Sequence, residues 1–200
     1  VTTPDAVLRA ELRRDGARPF ITWYAADSAA RVELSVATTA NWVAKAAGYL
    51  VDERGIEPGD RVSVAPALHW LTAVVLLAGW AIGADVAFDP TVDAERIEVP
   101  LDPIGIEFSK LVAAYPDDYR PADPTGDEQL AVAPAVPAGV RVLTTMLLDR
   151  AGVGYGLLSP LGAGGSVVYA AGAAELETIA RAERVTHTAG VDLPGLPRLG

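Results

Sequence analysis

Residues 71–84 read LTAVVLLAGWAIGA, with no charged side chain and apolar residues around every side of a helix. A helix of that kind has no face to offer water and must be covered all round. The run is too short to cross a membrane, which takes about 20 apolar residues. The chain is therefore expected to stack other layers against a central buried helix over residues 67–83.

The flanks of this helix say what those layers are. Glu57-Pro58-Gly59-Asp60 suits a type II turn, with Pro and Gly in its two central positions. RVSVAP after the turn and DVAFDP after the helix read as strands. Two strands joined by a helix form a βαβ unit, which implies a parallel sheet with helices on its faces.

The remaining elements fit this scheme. Thr3 is placed to cap a first helix, with Pro4 in its first turn, Arg13 and Arg14 in its last turn and Gly16 past its end. PFITWYAAD and RVELS read as a hairpin turning at Asp27-Ser28. Ser35 caps a second helix whose apolar positions are Val36, Ala40, Val43, Ala44, Ala47, Leu50 and Val51. Gly55 ends it, and Ile56 folds back as its apolar contact. Residues 91–139 are irregular and rich in Pro, Asp and Ala; within them IGIEF and QLAVAP are expected as strands and SKLVAAY as a short helix. Order returns with VRVLTT as a strand, residues 152–161 as a small-residue helix, GGSVVYA as a strand, residues 174–184 as a helix and VTHTAG as a last strand. No internal repeat is evident, and residues 1–200 are read as one α/β domain.

Composition narrows the function classes. Half of the residues are apolar, enough for a substantial core. The net charge is −10, which repels nucleic-acid phosphates, and no long basic patch offsets it. With no cysteine in the chain, a disulfide framework, a thiolate nucleophile and thiolate-bound zinc are all ruled out. That absence fits a cytoplasmic location, and VTTPDAVLRAELRRDG at the start carries no apolar leader segment. Neither a membrane nor a nucleic acid is expected as partner.

Taken in order, the pieces resemble the N-terminal portion of the adenylate-forming (AMP-binding) superfamily of acyl-CoA synthetases, adenylation domains and luciferases. ITW followed by ELSVATTANWVAKAAGYLVDERGIEPGDRVSV resembles that family's opening hairpin, long helix and G-x-x-x-G-D-x-V turn. HWLTAVVLLAGWAIGADVAFDP resembles its W-x-x-x-x-L-A-x-x-x-A-G-A-x-x-x-x-x-D-P segment. RVLTTMLLDRAGVGYGLLSPLGAGGSVVYAAG resembles the segment running into L-x-x-G-G-x-x-V, and LETIARAERVTHTAGV the helix and strand after it.

The departures from that pattern concern the chemistry. In the family, a Ser/Thr/Gly-rich loop ending in Lys follows a strand like QLAVAP and cradles the ATP phosphates with main-chain N–H groups. Here residues 135–139, AVPAG, hold that place and lead directly into VRVLTT; the two prolines of PAVP lack N–H donors, and no Lys follows Lys110. The later Y-G-x-T-E motif, the ribose-binding Asp and the C-terminal domain with its catalytic Lys have no counterpart before the sequence ends at Gly200. Adenylation relies on such groups to neutralise developing charge. ATP-dependent acyl activation by this chain alone is thus not expected, and no catalytic residue, metal or cofactor is assigned; residual binding of AMP, ATP or CoA is not expected either.

Other candidates carry bland readings. His69 and His187 show no ligand spacing and are read as packing or capping residues. GVGYG at 152–156 lacks the G-x-G-x-x-G spacing and reads as close packing through small residues, and GAGGS at 162–166 as a turn rather than an anion nest. Asp117, Asp118, Asp123, Asp127 and Glu128 do not follow a calcium-loop pattern and read as a solvated loop. Ser28, Ser63, Ser109, Ser159 and Ser166 lack the G-x-S-x-G elbow. Trp42, Trp70 and Trp80 read as core.

Ligands of open α/β sheets sit beyond the carboxyl ends of the strands. A surviving pocket is accordingly expected near Asp89-Pro90, Thr144-Thr145 and Ala189-Gly190, with Asp89, Thr144, Thr145 and Gly190 as binding candidates. The reading is a truncated, non-catalytic relative of the AMP-binding synthetases with a binding or assembly role. Its alternative is one component of an acyl-activating enzyme completed by a partner chain. A homo-oligomer is the other expected assembly, since truncation would expose apolar surface.

Overall fold

A computed structural model describes residues 2–26, 29–88, 93–97, 99, 106–119, 123–170 and 175–200. The hairpin turn at Asp27-Ser28 and the pair Asp89-Pro90 lie outside these residues.

The chain opens with helix α1 (Pro4–Asp15), where the Thr3 hydroxyl accepts the Ala6 N–H at 3.3 Å and Arg13 and Arg14 occupy the last turn. Strands β1 (Pro19–Tyr24) and β2 (Arg31–Ser35) form the expected antiparallel hairpin. Ser35 caps α2 (Val36–Asp52) by accepting the Thr38 N–H at 3.1 Å. Gly55, at φ +65, reverses the chain after α2, and the N–H groups of Gly55 and Ile56 donate back to the Val51 and Leu50 carbonyls. The turn at 57–60 is closed by Asp60 N–H on the Glu57 carbonyl at 3.1 Å, and Gly59 takes the φ of +91 that a type II turn requires.

Strand β3 (Arg61–Val64), helix α3 (Trp70–Ala81) and strand β4 (Asp85–Ala87) are the βαβ unit, with β3 and β4 paired in parallel. All residues of α3 are buried. They share one core cluster with Val62, Val64, Val86 and Ile97 of one sheet and Ile21, Val167 and Tyr169 of another. The cover demanded by an all-apolar helix thus comes from both sheets and from α1 and α2, whose Leu8, Val43, Ala47 and Leu50 join the same cluster.

Those sheets are a three-stranded parallel one, ordered β4-β3-β5 with β5 at Glu95–Ile97, and a six-stranded one, ordered β2-β1-β7-β6-β8-β9. The larger sheet contains β6 (Arg141–Thr144), β7 (Ser166–Ala170), β8 (His187–Ala189) and β9 (Arg198–Leu199), all parallel to their neighbours apart from the β1–β2 pair. Alternate residues of β7 point to opposite layers. Val167 and Tyr169 join the α3 core, while Val168 packs with Ala180 of helix α7 (Leu176–Ala182) on the other face. Helices therefore cover both faces of a mostly parallel sheet, as the pattern implies.

Two expectations within 91–139 are corrected. Ile106 to Phe108 of the expected strand IGIEF belong to helix α4 (Ile106–Val112), where Phe108 and Val112, one turn apart, are both buried. The segment QLAVAP is not a strand; its first residues end the short helix α5 (Asp127–Ala131). Apolar alternation over so few residues fits either element. Here the i→i−4 bonds from Leu130 to Gly126 and from Val132 to Glu128 are local, and a strand needs a ladder partner that no described residue supplies. Leu130 packs on the core while Val132 is left 81% exposed.

Candidate functional site

The carboxyl ends of β6 and β8 do bring three of the four predicted site residues together; Asp89 lies outside the described residues. Thr145 donates its hydroxyl to the Gly190 carbonyl at 3.2 Å and its N–H to the Ala189 carbonyl at 3.4 Å. The buried Thr144 hydroxyl accepts the Met146 N–H at 3.1 Å. Gly190 has φ +76, and a Cβ there would stand 2.4 Å from Met146 Cγ. Local main-chain bonds thus occupy both hydroxyls, and Met146 lies over the glycine. Met146, Tyr155, Val136 and Leu199 pack on Val140, Val142 and Ala189 along one face of β6 and β8, while Gly190 itself stays exposed.

Residues 135–139, expected where the family carries its phosphate loop, form a tight turn that follows α5 rather than a strand. Val140 N–H bonds the Pro137 carbonyl at 3.2 Å, and Gly139, at φ +68, gives its N–H to the Ala163 carbonyl at 2.9 Å. Pro134 and Pro137 have no N–H, and the Pro134 carbonyl is taken by the Ser159 hydroxyl at 2.6 Å. Only Ala135, Val136 and Ala138 bring further amides to this stretch, and β6 starts at Arg141. A nest that wraps a phosphate needs successive N–H groups turned to one point; here two of the seven residues 134–140 are prolines and the Gly139 and Val140 N–H groups are already bonded.

The other glycine runs are structural. Gly162 to Ser166 join helix α6 (Ser159–Gly162) to β7; the N–H groups of Ala163, Gly164 and Gly165 bond Ser159, Leu161 and Pro160, and that of Ser166 bonds Val140. A Cβ on Gly165 would meet the Val140 carbonyl oxygen at 2.2 Å. In GVGYG, Gly152 starts a helical segment capped by Asp149, whose Oδ1 accepts the Ala151 and Gly152 N–H groups at 2.9 and 2.8 Å. A π-helical turn follows at Gly154–Leu158, and a Cβ on Gly154 or Gly156 would press on Pro134 or Leu148.

Tyr169 donates its buried hydroxyl to the Gly156 carbonyl at 2.7 Å, and burial pushes its ionisation well above the usual tyrosine range. It cannot act as a base in that setting. His69 caps α3, with Nδ1 accepting the Leu71 N–H at 3.1 Å and its ring against Trp23 and Trp70. His187 lies apart on β8, next to the Thr186 hydroxyl. Trp70 and Trp80 are buried, and Trp42 packs on Trp70 and Phe108. Asp117 pairs with Lys45 at 2.8 Å, and among the described residues no three His, Asp or Glu side chains are placed to share a metal ion.

A recess of about 920 Å³ lies beside β4, and neither Thr144, Thr145 nor Gly190 lines it. Its walls are the outer edge of β4 with Phe88, the α5 end with Val132 to Pro134, and the turn from Asp149 to Gly154. Asp85 N–H bonds back to Asp60 across β3, so in a parallel ladder the N–H and C=O of Val86 turn outward to this recess. Arg61 and Asp85 pair at 2.8 Å at its border, and Arg150 and Glu128 add charge. Among the described residues that line it, the charged groups are Arg61, Asp85, Glu128, Asp149 and Arg150, with no Ser, Thr, His, Tyr or Lys. Of its walls, the sequence points only to the end of the DVAFDP strand; Arg61 and Asp85 become neighbours through the β3–β4 register. Asp149 as a helix cap three residues before Gly152 was legible and passed over.

The fold matches those of known structures closely. The N-terminal domain of FACL13 from Mycobacterium tuberculosis superposes with a TM-score of 0.72 at 12% identity, covering 95% of this chain and 63% of that one. ATP-bound MatB from Rhodopseudomonas palustris gives a TM-score of 0.70 at 15% identity, over 94% and 49% of the two chains. An acyl-CoA synthetase from Brucella canis gives 0.65 at 14%, over 92% and 46%. The fold is therefore that of the N-terminal region of adenylate-forming synthetases. In sequence, a Mycobacterium tuberculosis protein named only for a numbered family is 42% identical over 93 residues, which are 44% of this chain and 38% of that protein. No protein-family model matches the sequence. The chain spans between 38% and 63% of the length of these relatives. Among the described residues, no helix is long and apolar enough to cross a membrane.

Proposed function

We propose that this chain is a non-catalytic relative of the AMP-binding acyl-CoA synthetases, kept for binding or assembly. One observation carries the reading: the short turn between α5 and β6, where Pro134, Pro137 and the internally bonded Gly139 stand in place of a phosphate-gripping loop. Phosphoryl chemistry depends on positioned donors and positive charge around the triphosphate. The turn supplies neither, while the frame around it is complete enough to fold and to keep the recess beside β4. The described lining of the recess mixes apolar residues with the Arg61–Asp85 pair, which suits a bound molecule or segment.

The test is ATP–pyrophosphate exchange by the purified protein with a panel of aliphatic and aromatic carboxylic acids. Exchange at the buffer level is expected. Robust exchange without any added protein would overturn the proposal; exchange appearing only on adding a co-purifying chain would replace it with a role as one component of a two-chain acyl-activating enzyme.

A further inference from the structure

The end of α7 breaks a rule that the other turns of this protein keep. Val185 N–H bonds the Ala180 carbonyl at 2.9 Å and Arg184 N–H the Arg181 carbonyl at 3.2 Å, the paired bonds of a Schellman cap. That cap needs a left-handed residue and favours glycine, yet Arg184 holds it at φ +52. Among the described residues, the other positions with positive φ are all glycine. A cation near a helix C-terminus suits the dipole, but Arg181 already provides one in the last turn, and the dipole does not require a left-handed backbone.

Arg184 lines a cleft of about 250 Å³ between α7 and the turn at residues 193–196. Arg181 lines it too, and its apolar part comes from Ala180, Val185, Leu193, Pro194 and Leu196. In a chain of net charge −10, where most described arginines meet a carboxylate, neither of these does. Arg181 gives Nε–H to the Glu177 main-chain carbonyl at 3.3 Å; the Glu177 carboxylate lines the cleft but bonds neither guanidinium.

We infer that Arg181 and Arg184 form a binding site for a small anion with an apolar body, such as a compact aromatic carboxylate. Guanidinium forks match a carboxylate in two parallel hydrogen bonds, and the leucine and proline side chains would cover the apolar remainder. The cleft adjoins the amino end of β8, opposite the strand ends where α/β sheets usually bind their ligands, so it is independent of the non-catalytic reading above.

The experiment is an amide-resolved NMR titration of the whole protein with sodium benzoate, and separately with inorganic phosphate and with benzyl alcohol. Saturable shifts confined to residues 177–196 with benzoate, much weaker with the other two, are expected. Arg184→Gly is the decisive variant, because it removes the fork while relieving the backbone. It should raise the melting temperature and weaken benzoate binding about tenfold or more. Arg181→Ala should weaken binding without the gain in stability. No saturable benzoate shift, equal affinity for phosphate, or unchanged binding by Arg184→Gly would each overturn the site.

Discussion

Arg141 meets Glu183 twice: its Nε–H donates to the Glu183 main-chain carbonyl at 2.7 Å, and its Nη2 to the Glu183 carboxylate. The same guanidinium reaches Ser166 and Thr22 at 3.0 Å, crossing from β6 over β7 to β1. The other Glu183 carboxylate oxygen accepts from Tyr24 and, at 2.9 Å, from Arg31. One carboxylate thus ties the end of α7 to the hairpin and to the middle of the large sheet. With the Glu183 side chain 9% and the Arg141 side chain 15% exposed, it is a nearly buried pair.

Removing one partner of such a pair leaves the other charged and uncompensated. Glu183→Ala should therefore cost about 3 kcal/mol, and Glu183→Gln less, since an amide oxygen still accepts hydrogen bonds. Urea denaturation at pH 7 measures both; equal losses for the two variants would show that charge contributes little here.

The same group sets an acid limit. Burial alone would raise the Glu183 carboxyl, but hydrogen bonds from Tyr24, Arg31 and Arg141 outweigh it and hold it below its ordinary value of 4.5. The unfolded chain then binds this proton more readily than the folded one. The stabilisation is complete above pH 4.5 and is lost as pH falls through the lower folded value. The difference in urea stability between wild type and Glu183→Gln should be constant from pH 7 to about pH 5 and shrink below it. A gap that widens on acidification would contradict the assignment.

His69 should behave as a cap and packing residue. His69→Ala removes the acceptor for Leu71 N–H and the ring between Trp23 and Trp70, at a cost of about 2 kcal/mol. His69→Asn keeps an N-cap acceptor and should recover part of that loss. Thermal unfolding followed by circular dichroism separates the two, and added zinc should shift neither.

The GAGGS run offers a paired test of turn against ligand nest. Gly162 has open space, its Cβ position meeting Leu130 Cδ1 only at 4.0 Å, so Gly162→Ala should be neutral or stabilise by about 0.5 kcal/mol. Gly165→Ala would drive a methyl to 2.2 Å from the Val140 carbonyl oxygen and should cost about 3 kcal/mol. Denaturant midpoints decide; similar values for the two would mean that the turn relaxes freely.

Where local signals agreed, the sequence was readable. Ser35, Gly55, Pro58 and Gly59 each have one conformational use, and they bracket α2 and β3 as expected. IGIEF and QLAVAP were misread because a few apolar residues fit two periods. For α4 the tertiary burial of Phe108 with Val112 decided; for α5 it was the lack of a strand to pair with. The predicted sheet-end site came together in space, with Thr144 and Thr145 beside Gly190, but its hydroxyls are bound to the main chain under Met146. A residue's neighbours across a sheet depend on strand order, which residues near in sequence do not encode.

By itself the amino-acid sequence determined that this chain has a wholly buried helix and a βαβ unit around it, because apolar periodicity and turn residues act over a few positions. Only the tertiary structure decided that the strands divide between two sheets, that Arg141 and Glu183 clasp across the larger one, and that Arg181 and Arg184 share a cleft with Leu193 and Leu196. Those relations join residues far apart along the chain, and they arise when layers pack to remove apolar surface from water.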